Sequence, residues 1–263
     1  MLSLLAIATL LSCTKDDITY ENNKSGQLKI KFDHIVGGKS LVLNDYNYSN
    51  NSGEQFNVEL LKYFISNIKL SNDKGDVYTA PKKESYFLID AENTSSLQPK
   101  IQVPEGKYTK LEFVLGLDSL TNTLPVEERT GVLDIAKNGM YWSWNSGYIF
   151  FKMEGSSSAS TAADKKFRYH IGLFGGYDKP TKNNIKTIQV DLSPAGAAEV
   201  KENLSSDIHL MVDLSKVFDG KNKISIATNN TVMVSGPNDK IAENYSEMFR
   251  HDHTHNFQKI SNE

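Results

Sequence analysis

Histidine is the residue type whose placement points most clearly to chemistry in this chain. Three of the six histidines, His251, His253 and His255, alternate with other residues in the segment 250–256. In an extended segment, side chains at i and i+2 point the same way and lie about 6–7 Å apart. Two imidazoles at that spacing can bind one metal ion through bonds of about 2 Å. The run therefore predicts a site suited to copper or zinc, although a solvated histidine-rich terminus has the same composition.

The other three histidines lie in segments whose residue pattern predicts β-strands. His34 shares one face of the segment 28–36 with apolar residues, so its side chain is expected to point inward. His170 and His209 each alternate with apolar neighbours, and this alternation does not decide which face of their strands is buried. As a lone residue, His34 can be a metal ligand or a core side chain that hydrogen-bonds to a neighbour. The burial of His170 stays open, and nothing else in the sequence recommends His209 as a site residue.

Both tryptophans of the chain stand two positions apart, in an aromatic segment at residues 139–155. On a strand, Trp142 and Trp144 would share a face and pack against the same neighbours. That spacing is typical of core packing, and it would also suit an exposed stacking platform formed with Tyr148. The indole nitrogen does not normally bind metal ions, so an unmodified tryptophan would not complete a metal site.

The segments that carry these residues favour an all-β fold. Alternation with period two, enrichment in Val, Ile, Tyr and Phe, and Gly, Asn and Asp at the turns predict many short strands. We predict a mainly antiparallel β-sandwich with one or two short helices, at 193–204 and over 238–249. Asn238 is expected to cap the second helix. Strands are predicted at 28–36, 56–70, 84–90, 108–117, 146–154, 165–174, 185–192, 207–214 and 223–228.

The N-terminal residues predict export and lipid attachment. Residues 1–13 form an apolar run that is too short to span a bilayer and that ends at Cys13, the only cysteine. The sequence Leu10-Leu11-Ser12-Cys13 resembles a bacterial lipobox, in which the cysteine is acylated. Lys15-Asp16-Asp17 resembles an export signal of surface lipoproteins. We therefore predict an outer-membrane lipoprotein that faces the periplasm or, as the acidic run favours, the cell surface.

Composition excludes several classes of protein. The net charge of −3 argues against a nucleic-acid partner and against binding to anionic lipid through a basic face. If the one thiol is acylated, the chain has neither a disulfide nor a cysteine ligand for a metal. The polar residues 14–26 predict a flexible stalk. The length of the segment 27–263 suits a single β domain with its own core.

Several ordered blocks of the chain resemble the MbnP family of periplasmic or surface proteins, including a lipid-anchored branch found in Bacteroidota. The resemblance covers about residues 27–257. Its most specific part is the Trp-x-Trp-x-x-Gly-Tyr block at 142–148 followed by the His-x-Gly block at 170–172. The other blocks are Phe32-Asp33-His34, Phe56–Leu70, Val103–Tyr108, Phe113–Asp118 and Met248–Asn256.

The resemblance implies copper handling, in association with methanobactin-type operons. Members of the family bind copper through histidines together with a kynurenine, which a separate di-haem, MauG-like peroxidase makes from tryptophan. Carried onto this chain, the resemblance makes His34 and His170 the leading copper ligands. Unlike some members, the chain has no cysteine in the loop 173–176 that follows the His-x-Gly block. The further candidates are His253, His255 and His251 as ligands, and Trp142 or Trp144 as the modifiable tryptophan.

Two functions from different classes fit these observations. The first is a non-catalytic protein that binds copper outside the cytoplasm, and it predicts that His34 and His170 lie within about 5 Å of each other. The second is a cell-surface module that binds glycan or protein through exposed Trp142, Trp144 and Tyr148. An enzyme is not expected, because the sequence contains no nucleophile elbow, zinc-protease helix motif or phosphate loop.

Overall fold

The computed structural model describes residues 18–21, 23–45, 48–145 and 147–260. The predicted signal peptide with Cys13 and the Lys15-Asp16-Asp17 signal lie outside these residues. Of the three α-helices in the described ranges, none has the length and apolar character of a membrane-spanning helix. The strands are β1 (Ser25–Val36), β2 (Lys39–Ser40), β3 (Tyr48–Ser49), β4 (Gln55–Phe56), β5 (Leu60–Ser71), β6 (Val77–Thr79), β7 (Phe87–Asp90), β8 (Lys100–Pro104), β9 (Gly106–Tyr108), β10 (Lys110–Leu115), β11 (Tyr141–Trp142), β12 (Gly147–Ser156), β13 (Lys166–Gly172), β14 (Lys186–Asp191), β15 (Ala198–Val200), β16 (Leu204–Asp213), β17 (Thr231–Val232) and β18 (Phe249–Lys259), and the helices are α1 (Ser119–Asn122), α2 (Lys216–Asp219) and α3 (Asn238–Tyr245).

Two sheets contain most of the strands. The five-stranded sheet has the order β18-β16-β1-β2, and β8 also pairs with β1. The nine-stranded sheet has the order β14-β10-β5-β12-β13-β17, with β11 added to β12 and with β6 and β7 added to β5. Pairing is antiparallel between the described strands except for β1 with β16 and β13 with β17. The predicted all-β class is confirmed, and its sheets are mainly antiparallel.

The two sheets pack face to face around an aromatic core. Along β1, buried and partly exposed residues alternate, and Leu28, Ile30 and Phe32 are all buried. The Phe32 ring makes edge-to-face contacts with Tyr63 of β5 and Phe113 of β10, at centroid distances of 6.1 and 6.0 Å. Edge-to-face pairs at this distance are favourable in addition to the area they bury. The contact between rings from opposite sheets confirms the β-sandwich arrangement.

The helix predicted at 193–204 is wrong. Only Ser193–Ala195 form a turn of 3-10 helix, and the chain then continues through Gly196 into β15. Gly196 has a φ of 110°, which lies outside the helical region. Ala198 and Val200 are both buried, and β15 pairs with β9. Pairing with a distant strand therefore overrides a local sequence that has a serine–proline helix start.

The strand predicted at 223–228 is also wrong, although its apolar residues are buried as a strand would require. Ile224 and Ile226 both lie in the core. The backbone N–H groups of Ile226 and Ala227 donate to the Glu54 carboxylate, and the Ser225 hydroxyl donates to it as well. A carboxylate here takes the hydrogen bonds that a partner strand would otherwise accept.

The second predicted helix is present but shorter than predicted. Asn238 is its first helical residue and not its cap, and its side-chain amide donates to the carbonyls of Met233 and Val234. The helix ends at Tyr245 because Met248 and Phe249 lead into β18. The last strand therefore follows the helix after only three residues.

The segment predicted to be a flexible stalk is partly packed on the domain. Ser25 already begins β1. The Tyr20 hydroxyl donates to Glu199 at 3.0 Å, and the Glu21 backbone N–H donates to Glu105 at 2.9 Å. These hydrogen bonds tie the chain to the β9–β15 pair from residue 20 onward. The domain boundary therefore lies several residues before the predicted position at residue 27.

Candidate metal centre

Three histidines from two neighbouring strands meet on the outer face of the five-stranded sheet. His209 of β16 lies directly opposite His253 of β18, and His255 lies two residues further along β18. One ring nitrogen of each histidine lies within 4.8 Å of the other two. The Nε2 atoms of His253 and His255 are 3.1 Å apart. Two nitrogen ligands about 2 Å from one ion are about 3.3–3.6 Å apart, so small side-chain movements suffice to close a site.

Strand alternation places His209 on this face. Its neighbours Ile208 and Leu210 are buried in the core, so His209 points away from the core. Its side chain is 14% exposed, whereas that of His253 is 41% exposed because β18 is the edge strand of the sheet. The cluster of His209, His253 and His255, called the histidine cluster below, is therefore open to solvent on one side.

His251 does not join the histidine cluster, contrary to the prediction from its spacing. His209 pairs with His253 and the adjacent Leu210 pairs with His251, so Asp252 is an extra residue in β18. A bulge of this kind reverses the alternation of side chains along the strand. His251 consequently points to the other face, where its Nε2 hydrogen-bonds to the Thr254 hydroxyl at 2.8 Å.

Carboxylates lie beside two histidines of the histidine cluster. Asp252 Oδ2 lies 2.8 Å from His253 Nδ1. Asp33 of β1 lies 3.5 Å from His209 Nδ1, and it also pairs with Lys31 at 2.9 Å. A carboxylate on one ring nitrogen fixes the orientation of an imidazole and makes its other nitrogen a better metal ligand. In both histidines this arrangement leaves Nε2 for a metal ion.

The electrostatics at His209 favour neutral imidazole, which is the metal-binding form. Burial lowers the pKa of His209, and the neighbouring His253 and Lys31 lower it further. Protons and metal ions compete for the same nitrogen atoms, so a lowered pKa leaves more of the ligand free at neutral pH. Asp33 acts in the opposite direction on the pKa of His209 but does not outweigh burial.

Metal binding requires one ring of the cluster to rotate. The His209 and His253 rings are stacked, with centroids 4.2 Å apart and planes at 29°. An imidazole lone pair lies in the plane of its ring, so two stacked rings do not direct their lone pairs at one point. The His255 ring is nearly perpendicular to both, at 88° to His209 and 67° to His253. Rotation of the His209 or His253 ring about its Cβ–Cγ bond would break this stack, as binding of one shared ion requires.

The structure does not bring His34 and His170 together. His34 lies inside the sandwich, where its Nε2 hydrogen-bonds to the Tyr63 hydroxyl at 2.9 Å, and burial lowers its pKa to about 4. His170 pairs with Lys152 of β12, which pairs with Lys62, the residue next to Tyr63. Adjacent residues of a strand point to opposite faces. The two histidines therefore lie on opposite faces of the nine-stranded sheet, and the close approach predicted for them is not found.

His170 has a carboxylate partner of its own. Its Nε2 lies 2.7 Å from Glu154 Oε1, and Lys152 Nζ lies 3.6 Å from the same carboxylate. The pairing with His170 is the main cause that holds the pKa of Glu154 below its usual value. His170 thus belongs to a charged group on the outer face of the nine-stranded sheet.

The two tryptophans differ sharply in exposure. Trp142 is 3% exposed and Trp144 is 64% exposed, with ring centroids 5.7 Å apart. A Cβ atom at Gly172 would lie 2.8 Å from Trp142 Cζ3, so the glycine of the His-x-Gly block makes room for this indole. Gly172 lies two residues after His170 on β13.

The remaining aromatic candidate is also buried. Tyr148 is 1% exposed, and its hydroxyl donates to the Leu133 carbonyl. Of the three rings proposed as a stacking platform, only Trp144 is exposed, so they do not form a common surface. Neither tryptophan makes a ring contact with any of the six histidines, all of which the structure describes.

His209 is the site residue that sequence reasoning did not single out. Its alternation with Ile208 and Leu210 was visible, but its partner strand was not, because β16 and β18 pair across about 40 residues of intervening chain. A single histidine on the outer face of a strand does not indicate a metal site unless the neighbouring strand places a second histidine beside it. The histidine pattern of β18 was the signal that could have prompted a search for such a partner.

Comparisons with known proteins bear on the fold and the family. The model of the MbnP family matches residues 25–234, a range that contains His34, His170, His209 and both tryptophans and ends before β18. MbnP from Methylosinus trichosporium has a similar structure, with a TM-score of 0.55 and 16% identity, over 78% of this chain and 82% of that chain. At this identity the likeness shows the fold alone. No curated protein sequence matches the chain. Because the family match spans most of its length, the chain belongs to the MbnP family, a membership that supports an extracytoplasmic, metal-related role.

Proposed function

We propose that this protein binds copper outside the cytoplasm, without catalysing a reaction, through His209, His253 and His255. The observation that carries the proposal is the convergence of one ring nitrogen from each histidine to within 4.8 Å of the others. Three imidazoles leave a further position of a four-coordinate site open. The exposed side of the cluster gives a metal ion a path in and out.

The ligand set supports copper as the metal. The cluster contains three imidazoles and no carboxylate, whereas calcium and magnesium prefer oxygen ligands. Among the divalent first-row ions that imidazole binds, Cu²⁺ has the highest affinity in the Irving–Williams order, above Zn²⁺. The copper association of the family favours the first of these two ions.

Oxidation of a tryptophan by a di-haem, MauG-like peroxidase is a second part of the proposal. Trp144 is accessible to a partner protein, whereas Trp142 is buried against Gly172 of β13. The histidine cluster does not depend on this modification, because neither tryptophan contacts it.

The location of the protein follows from its N-terminus. We propose that Cys13 is acylated and that the lipid holds the domain at the outer membrane, with Lys15-Asp16-Asp17 favouring the outer surface. The hydrogen bonds of Tyr20 and Glu21 to the domain then leave only a few residues between the lipid and the folded protein. The lipid would then hold the domain close to the membrane.

Copper binding by matched variants tests the metal site. We expect the full chain to bind one Cu²⁺ at the cluster in a competition titration, and His209→Ala or His253→Ala to weaken binding at least a hundredfold. His251→Ala is the matched control, since it removes a histidine from the same strand but from the opposite face. Retention of wild-type affinity in His209→Ala, or a loss in His251→Ala as large as in His253→Ala, would contradict the proposal.

The tryptophan modification has its own readout. After co-expression with a di-haem peroxidase, mass spectrometry of the peptide that contains Trp142 and Trp144 should show the mass change from tryptophan to kynurenine at one of them. An unmodified peptide from protein that still binds copper would remove kynurenine from the proposal and leave the histidine cluster in place. An unmodified peptide together with no copper binding would favour the glycan- or protein-binding alternative.

A further inference from the structure

A cavity of about 420 Å³ lies beside Trp142, and none of the three clustered histidines lines it. Three separate segments form it: the end of α1 with the chain that follows, the β11 strand, and the loop after β13. Cavities that bind small molecules usually measure about 300–1,000 Å³ and combine aromatic walls with a few polar groups. The walls here include Asn122, Arg129, Tyr141, Trp142, Phe174 and Tyr177.

Arg129 brings a fixed positive charge to the cavity wall. Its guanidinium donates to the carbonyls of Leu124 and Asn122 and to the Tyr141 hydroxyl, at 2.9, 3.3 and 3.1 Å. Its central carbon also lies 5.5 and 5.6 Å from the ring centroids of Tyr141 and Tyr148. All of these partners are neutral, and no carboxylate among the described residues forms an ion pair with Arg129. A half-buried guanidinium held in this way without a counter-ion is a site for an anion.

Trp142 contributes a hydrogen-bond donor that has no acceptor. The residue is 3% exposed, and its Nε1 is buried without a hydrogen-bond partner. The indole meets Gly172 through Cζ3 and Cη2, the ring edge opposite the pyrrole, so Nε1 is directed away from β13. Buried donors without a partner are uncommon in folded proteins. Because Nε1 has almost no accessible surface, a ligand in the cavity reaches it only if the Trp142 side chain moves.

Aromatic rings form much of the remaining wall. Tyr177 is 78% exposed at the loop after β13, and Tyr141 of β11 also lines the cavity. A planar ligand gains contact area from such rings at little entropic cost. Asp178 also lies in the wall and is exposed, so a ligand with one negative charge is preferred to one with two.

We propose that this cavity binds a small planar monocarboxylate. The carboxylate accepts hydrogen bonds from the N–H groups of Arg129 that have no other acceptor, and the planar body of the ligand packs against the aromatic wall that includes Tyr141 and Tyr177. Charge-assisted hydrogen bonds to a guanidinium are the strongest contacts that such a ligand can make here. The proposal does not depend on a metal ion, because the cavity is separate from the histidine cluster.

Nuclear magnetic resonance on the metal-free full chain tests it with benzoate as the probe. The chain has two tryptophans and therefore two indole N–H signals, which Trp144→Phe assigns. We expect benzoate to shift the Trp142 signal saturably, and benzamide, which has the same shape without the charge, to bind at least tenfold more weakly. Arg129→Gln should weaken benzoate binding at least tenfold and abolish the preference for benzoate over benzamide.

A second variant keeps the test decisive if Arg129→Gln does not fold. Tyr177 is exposed, so Tyr177→Ala should fold, bind benzoate more weakly and retain the preference for benzoate over benzamide. No saturable shift of the Trp142 signal, or equal binding of benzoate and benzamide to the wild-type chain, would overturn the proposal. Copper binding measured on the same variants should be unchanged, which separates this result from the fate of the proposed metal site.

Discussion

Acid sensitivity of His34 separates its role in the core from the role of a copper ligand. His34 is buried, its Nε2 hydrogen-bonds to Tyr63, and its ring meets the Tyr63 ring edge-to-face at 5.7 Å. Burial lowers the pKa of His34 from 6.5 to about 4. The native protein therefore keeps this imidazole neutral at pH values where the unfolded chain protonates it.

The sign and the size of the effect follow from this difference in pKa. Above about pH 7 the imidazole is neutral in both states and does not change the free energy of unfolding. As the pH falls below 6.5, His34 becomes protonated in the unfolded chain, whereas in the native chain it stays neutral down to about pH 4. The free energy of unfolding therefore decreases as the pH falls. The loss reaches about 2 kcal/mol at about pH 5 and about 3 kcal/mol below the native pKa.

The assay compares wild-type protein with His34→Gln, which can still hydrogen-bond to Tyr63. Urea unfolding is measured at about pH 7.5 and about pH 5, and the change in the free energy of unfolding between the two is compared. We expect the wild-type chain to lose about 2 kcal/mol more than His34→Gln over this interval. His170→Gln is the matched control, and it should keep the full acid loss because His34 is still present.

Two results would refute the reasoning about His34. Equal acid losses in wild-type protein and His34→Gln would mean that burial does not hold this imidazole neutral. A His34→Gln variant that loses copper binding while His209→Ala retains it would mean that His34 is a ligand after all, as the resemblance to the family first suggested.

Further predictions concern the residues around the two sites. Asp252→Asn should lower copper affinity about 10–100-fold in a competition titration, because it removes the carboxylate that orients His253, and unchanged affinity would exclude that role. Gly172→Ala should destabilise the fold by about 1–3 kcal/mol in urea unfolding, because its Cβ would lie 2.3 Å from the Tyr148 carbonyl oxygen and 2.8 Å from Trp142 Cζ3. Full stability of Gly172→Ala would show that Trp142 does not pack on β13 as described.

The fold class could be predicted from sequence because the signal is local. The alternation in β1, where Leu28, Ile30 and Phe32 face inward, reports strand geometry whatever the partner strand is. The same local signals failed at 193–204 and at 223–228. In the first segment pairing of β15 with β9 decided the conformation, and in the second the Glu54 carboxylate replaced a strand partner.

The candidate metal site was predictable only in part, because its geometry depends on a bulge in β18 and on the pairing of β18 with β16. His253 and His255 share a face as their spacing predicted, but the bulge at Asp252 removes His251 and the pairing of β18 with β16 adds His209. A bulge has no reliable sequence signature. The pairing of two strands that are far apart in the chain cannot be predicted from the sequence of either strand alone. The resemblance to the family led to His34 and His170, whose opposite orientations only the sheet topology reveals.

The central claim is that His209, His253 and His255 together hold one copper ion. The most direct test is anomalous X-ray scattering at the copper absorption edge from crystals of the copper-loaded chain. We expect one strong anomalous peak about 2 Å from a ring nitrogen of each of the three histidines, with the His209 or His253 ring rotated out of the present stack. A peak beside His34, or beside His170 and Trp142, with none at the histidine cluster would contradict the claim.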